Sequence, residues 1–256
     1  MDRSTKKEGV AVRNLLITLC FDGSGYCGYQ VQKNGPTVAA AVQNAVEDLV
    51  GERIPITGCS RTDSGVHADM FCINFHTRCT IPAERVPSAL NARLPKDIAV
   101  YQCREMPQDF HARYSCHGKL YRYQIYTGPY RNPFYEKYSL HHPYPLDLDS
   151  MNQAAESFKG EHEFSGFCSA GSSVRGSTRR HITRCEFQRK GDLVCFFIAA
   201  NGFLYNMVRI MTGTLMEVSA GKRSPQSISE LLARPDRTAA GPTVPAQGLF
   251  LQEVYY

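Results

Sequence analysis

Apolar residues recur along the chain at two spacings, and the switching between them predicts the order of its elements. The run "NLLITLCFDG" is almost continuously apolar and stops at a glycine turn, as a buried strand does. "GSGYCGYQVQKNGPT" has no period and reads as a loop. In "VAAAVQNAVEDLVG" alanine and valine fall at helical spacing and Gly51 closes the run, which predicts a helix. "IPITGCS" and "ADMFCINFHT" read as strands on either side of a polar turn. "ERVPSALNARL" reads as a helix with Pro87 in its first turns, and "DIAVYQC" as a strand.

A second series begins near Arg104. "GKLYRYQIYTG" alternates aromatic and polar residues as a half-exposed strand, and "LDSMNQAAESFKG" predicts a helix capped by Asp149 or Ser150. "RCEFQRKGDLVCFFIAANG" reads as a hairpin turning at Lys190-Gly191, "FLYNMVRIMTGTLMEVSAG" as a long amphipathic helix, "SPQSISELLARP" as a shorter one and "GLFLQEVYY" as a terminal strand. Each half therefore runs strand, helix, strand, strand, helix, strand, with the shorter helix added before the last strand of the second. That order predicts an α+β fold of two ferredoxin-like (split βαβ) units, 11–104 and 105–256. Each is expected to be an antiparallel sheet with helices on one face, and the cleft between them is the natural site. The polar first ten residues are expected to fray.

Composition adds three points. The chain has 256 residues, 43% hydrophobic and 21% charged, enough to bury a core without staples and with no low-complexity signature. Lysine and arginine outnumber aspartate and glutamate by 29 to 24, which permits a polyanionic partner. Arg175, Arg179, Arg180 and Arg184 gather in "VRGSTRRHITR", a stretch that reads either as a phosphate-binding surface or as a solvated loop. The ten cysteines contain no Cys-x-x-Cys and mostly lie in apolar runs, as Cys20, Cys72 and Cys195 do, so reduced, buried thiols are expected. With neither a signal peptide nor a spanning run, a cytoplasmic protein with no membrane partner is expected.

Candidate chemistry centres on the turn in "CSRTDSGVHADMFCINFHT", which projects one carboxylate, Asp63, between two strands. Gly65 permits a positive φ there, and Arg61, Thr62 and Ser64 can hold the carboxylate ionised and oriented, as a nucleophile requires. An Asx-turn closing a hairpin is the alternative reading. A conventional glycosidase would need a second carboxylate nearby. His67 and Asp69 share a strand face, but no third ligand is evident, so no metal is expected. "FDGSG" resembles a phospho-aspartate loop but lacks the second acid. In "YRY", Tyr121 and Tyr123 share a face where phenol rings can stack on a nucleobase, or can simply be sheet surface. Arg209 lies inside an apolar helix, where its guanidinium needs an acid such as Asp63 or must reach the helix edge.

In this order, "SRTDSGVHA", "KLYRY", "STRRHI" and "FLYNMVRIMTG" resemble the signature segments of the TruA-type tRNA pseudouridine synthases, and the resemblance covers nearly the whole chain. Ser60 and Ser64 stand where that family more often has glycine and alanine. The resemblance implies that Asp63 is the catalytic carboxylate, Tyr121 the ring against the target uracil and Arg209 the partner of the aspartate. It also implies that Arg61 helps displace the target base, while Arg179 and Arg180 bind RNA. The reaction would suit a single acid. The N1 to C1′ bond breaks, the uracil turns and C5 bonds to C1′, with no water to activate and no cofactor. Asp63 would attack C1′ or take a sugar proton, and Tyr121 or a nearby base would help remove the C5 proton. The implied substrate is tRNA, at uridines 38–40 of the anticodon arm, bound across a homodimer; DNA is not an expected partner. An RNA-binding protein without turnover and a hydrolase using Asp63 are the rival classes.

Overall fold

A computed structural model of the chain describes residues 11–170 and 176–256. Arg175 and the first ten residues, for which fraying is expected, lie outside the described residues. In the first half the elements are β1 (Arg13–Phe21), α1 (Val38–Val50), β2 (Thr57–Gly58), β3 (His67–Thr77), α2 (Val86–Asn91) and β4 (Ile98–Met106). The second half contributes β5 (Gly118–Tyr126), β6 (Leu140–His141), α3 (Leu148–Glu156), β7 (Gly160–Glu163), β8 (Arg179–Lys190), β9 (Leu193–Ala200), α4 (Met207–Ser219), α5 (Ser227–Ala233) and β10 (Leu249–Tyr255).

The local chemistry behind these elements is ordinary. Thr37 caps α1 by accepting the Ala40 N–H, and Gly51 ends it at φ 75°, a left-handed conformation that costs glycine little. Buried Val38, Val42 and Val46 form the stripe of α1 that faces the sheet. Asp147, not Asp149 or Ser150, caps α3, because its carboxylate accepts the Ser150 N–H. The "RRHITR" stretch is the start of β8, not a loop, since it pairs with β7 on one side and β9 on the other.

All the strands among the described residues join one mixed, mostly antiparallel sheet whose main path is β4-β1-β3-β10-β5-β9-β8-β7. The two halves meet where the terminal strand inserts. β10 pairs parallel to β3 and antiparallel to β5, so Leu251 sits opposite Ala68 on one side and Tyr121 on the other. The last strand of the chain thereby brings the tyrosine strand of the second half beside the turn that precedes β3.

In the first half β1 and most of β3 are covered on both faces, while β4 leaves one face exposed. α1 and α2 pack together and α2 packs on β4, while the segment 107–117 closes over the other face. That segment is fixed by buried asparagines. Asn14 donates to the carbonyls of Pro107 and Phe110 at 2.9 Å, Asn74 donates to Asn14, and the Ala112 N–H donates to Asn74 Oδ1 at 2.9 Å. Satisfied in this way, two buried carboxamides act as a specific tie instead of a burial penalty. In the second half α3 packs on β8 and α4, and α4 packs on β5.

Candidate active site

The turn carrying Asp63 is clamped from below by the loop after β1. Tyr29 N–H donates to Thr62 O, Gly65 N–H to Tyr26 O, and Ser64 Oγ–H to Tyr26 O. The two segments approach so closely that a Cβ on Gly28 would lie 2.7 Å from Thr62 O, and Gly28 also takes φ +94°. Gly65 supplies the positive φ expected of it, at 77°. The carboxylate is thus carried on a rigid turn, and the Thr62 hydroxyl beside it is buried with no hydrogen-bond partner among the described residues.

Arg209 meets Asp63 from the first turn of α4, with Nη1 3.7 Å from Oδ2. Its shorter bonds are elsewhere, Nε to Val244 O and Nη1 to Asn206 Oδ1, both at 2.7 Å. Asn206 holds a left-handed conformation, φ 60°, and also donates to Ser169 Oγ at 3.0 Å. It breaks the long helix expected from Phe203 onward, so α4 begins only at Met207 and Phe203 and Tyr205 line the cavity instead. Burial raises the Asp63 carboxyl above its ordinary value of 3.8, because an arginine at this distance does not make up for the lost solvent.

Tyr121 lies across from this pair, 6% exposed, with its hydroxyl 3.3 Å from Ser60 Oγ and its ring edge-on to Phe203 at 4.9 Å. Burial pushes its phenol well above the ordinary tyrosine range. Tyr123 is not a second base-stacking ring. It is fully buried and donates to Pro245 O at 2.8 Å, so it belongs to the core.

Ser60, Asp63, Tyr121, Phe203, Tyr205 and Asn206 line a cavity of about 1090 Å³, and Arg209, which is not among the lining residues, meets its wall at Asp63. Arg61 and Arg180 line it as well; Arg180 Nη1 is held by the carbonyls of Ser177 and Arg179 at 2.8 and 2.6 Å. Arg179, its neighbour on β8, bonds Glu161 at 2.9 Å and is not among the lining residues, since successive side chains on a strand face opposite ways. Arg184 pairs with Glu186 and covers the Phe197 ring, also away from the cavity. Asp63 is the one acid among the described lining residues, against the basic side chains of Arg61, Arg113, Lys119 and Arg180. A polyanion with one reacting carbon would find there a single carboxylate ringed by positive charge and aromatic edges.

The histidine considered for a metal is otherwise engaged. His67 Nδ1 accepts the Gly23 N–H at 3.0 Å and Nε2 donates to Lys137 O at 3.0 Å, and burial keeps the ring neutral although Asp22 is 3.2 Å away. Asp69 pairs with Arg122 at 3.0 Å. Among the described residues no cluster of histidine, cysteine and carboxylate side chains fits a metal ion, and no helix is long and apolar enough to cross a membrane.

The sequence reading did not single out Arg113, Tyr114, Lys119, Phe203 or Asn206, which also line the cavity. Asn206 could have been noticed as a poor helix former placed just before an apolar helical run. The "HARY" segment has no periodicity, and nothing local marks it.

A family model described as tRNA pseudouridine synthase matches residues 18–115 and 154–256. Tested against curated proteins, the chain is 46% identical over 240 residues to a tRNA pseudouridine synthase A from Syntrophomonas wolfei, covering 94% of this chain and 96% of that one. It is 42% identical over 245 residues to one from Caldicellulosiruptor bescii, covering 96% of this chain and all of the relative. One from Moorella thermoacetica is 46% identical over 244 residues, covering 94% and 99%. With that match along nearly its whole length, the chain belongs to the TruA-type tRNA pseudouridine synthases, an isomerase family.

Proposed function

We propose that the protein converts uridine to pseudouridine at positions 38–40 in the anticodon arm of tRNA, with Asp63 as the catalytic carboxylate. The observation that carries this reading is the lone acid on a rigid turn, facing a cavity whose other described charged residues are basic. An isomerisation that breaks and remakes a bond to C1′ needs one such group and no second acid to activate water. Asp63 attacks C1′ or removes a sugar proton, and Arg209 steadies its charge at 3.7 Å. Tyr121, which keeps its proton at neutral pH, is suited to packing against the uracil. Arg61 helps hold the uridine out of its stack, and Arg180 takes a phosphate, with Arg179 further along the strand. The reaction is redox-neutral and is assigned no cofactor.

The chain is further read as two ferredoxin-like units, 11–104 and 105–256. The strand orders β4-β1-β3 and β10-β5-β9-β8 support that division, although β4 itself runs on to Met106. We also assign it a homodimer that binds RNA, not DNA, across both subunits. The rings of Tyr130 and Phe134, exposed between β5 and β6, are the kind of apolar surface a second copy covers.

Unmodified tRNA tritiated at uracil C5 tests the reading. Label released to water with no free uracil supports the isomerase; free uracil points to a hydrolase, and binding without release to an RNA-binding protein.

A further inference from the structure

Tyr114 is 79% exposed at the mouth of the cavity that holds Asp63 and Tyr121. It is nevertheless firmly held. The His111 ring packs against it with centroids 4.3 Å apart and planes 29° from parallel. His111 Nδ1 accepts the backbone N–H groups of Arg113 and Tyr114, each at 3.2 Å. The segment is tied down beneath by the Ala112 N–H on Asn74 and by the Tyr256 hydroxyl on Ala112 O at 2.7 Å. Arg113 lies 5.9 Å from the centre of the Tyr114 ring and lines the same cavity. One face of an oriented aromatic ring is therefore backed by protein while the residue stands in solvent beside a cation.

We propose that Tyr114 is a preformed stacking platform for a nucleobase adjacent to the target uridine in the bound RNA, with Arg113 placed for that nucleotide's phosphate. This rests on the RNA-modifying reading above and adds a binding site to it. Tyr121 is buried deep in the cavity and suits the extruded base; Tyr114 at the rim suits a neighbour that stays outside. A ring already fixed by His111 loses little freedom on stacking, and every base offers it a flat face. The platform therefore contributes affinity and position without demanding one base identity.

The test uses anticodon-arm hairpins in which 2-aminopurine replaces the nucleotide on the 5′ side of the target uridine or, in a second RNA, on its 3′ side. Wild-type protein is expected to quench at least one of them. Tyr114→Ala should abolish that quenching and weaken binding about tenfold, while Tyr114→Phe keeps both. Because no charge is lost, the slope of log Kd against log salt should be unchanged in Tyr114→Ala, whereas Arg113→Ala should flatten it by about 0.7 to 0.9. Tyr114→Ala that binds and quenches as wild type overturns the proposal. So does a Tyr114→Ala protein with unchanged RNA affinity and an altered monomer–dimer equilibrium, which would assign the ring to a protein interface. Pseudouridine formation by the wild type in the same hairpins is scored separately and upholds the RNA reading whatever Tyr114 does. A wild type that binds neither hairpin removes both.

Discussion

Asp22 and Asp63 each lead a short turn built from glycine and serine, "DGSG" after β1 and "DSG" before β3, and their carboxylates are treated in opposite ways. Asp22 accepts the Ser24 N–H at 2.9 Å and the Tyr138 hydroxyl at 3.0 Å. Burial works against its charge, yet these donors hold its carboxyl below the ordinary value of 3.8. Asp63 is half-buried on a turn whose donors are spent on backbone, with Arg209 at 3.7 Å, and loss of solvent raises its carboxyl. A carboxylate supplied with donors serves as a tie; one that is desolvated and faces a cavity is left reactive. The comparison also separates two corners of the molecule, because Asp22 and His67 line a smaller depression of about 290 Å³ that does not include Asp63.

The largest expected effect comes from making the two aspartates alike. Asp63→Asn should lower turnover by about a thousandfold or more, measured as tritium release, because it removes the charge that the chemistry uses. Folding should survive. Arg209 keeps its 2.7 Å bonds to Val244 and Asn206, so it is not stranded, and a change in stability of about 1 kcal/mol or less is expected by thermal melting. Near wild-type turnover in a folded Asp63→Asn protein would end the distinction between the two turns. The pH profile sharpens it. Activity that needs ionised Asp63 rises as the pH climbs through a folded value above 3.8, so the acid limb of kcat/KM should lie above the ordinary aspartate value of 3.8.

The fold was more legible in the sequence than the site. Element order followed from periodicity, which is a local property: the valine stripe of α1, the Lys190-Gly191 hairpin and the terminal strand are all where it placed them. Joining the halves into one sheet was not legible, since it depends on β10 pairing with β3 across most of the chain length. Asp63, Tyr121 and Arg209 stood out as motif residues, and the fold brings the first two to one cavity and Arg209 to within 3.7 Å of Asp63. Tyr114 and Asn206 did not, because one is positioned by a long-range tie to Asn74 and the other by a backbone angle. Arg179 and Arg180 are alike as sequence and differ only through the alternation of β8.

Asn206 offers an intermediate effect on the Asp63 side of the comparison. Asn206→Gly keeps the left-handed backbone, which glycine adopts freely, and deletes the carboxamide that holds Arg209. The melting temperature should hold while kcat falls about tenfold, since the guanidinium loses one of its two short anchors. An unchanged kcat would mean that Val244 alone positions Arg209. Smaller still is the effect of the β8 arginines. Arg180→Ala should flatten the salt dependence of tRNA binding by about 0.7 to 0.9 in log–log slope, and Arg179→Ala by less, because only Arg180 lines the cavity. Equal slopes for the two variants would contradict the strand alternation.

The smallest effect on activity belongs to the other aspartate. Asp22→Asn should leave kcat unchanged, because Asp22 lies outside the cavity of Asp63, and should cost about 1 kcal/mol of stability through weakened bonds to Ser24 and Tyr138. The pH dependence has a definite sign. A carboxyl whose folded value is depressed contributes its full stability above the unfolded value, near 3.8, and loses it as the pH falls through the lower folded value. The wild type should therefore lose stability below about pH 4 more steeply than Asp22→Asn, with the two curves converging at the acid end. Asp63 works the other way: with its folded value raised, its ionisation costs stability as the pH rises from 3.8 through that value. Asp63→Asn should flatten that second window and leave the first untouched. Urea titrations of both variants between about pH 3 and pH 7 measure the two windows separately, and a shared window would mean that the two carboxylates are not opposites after all.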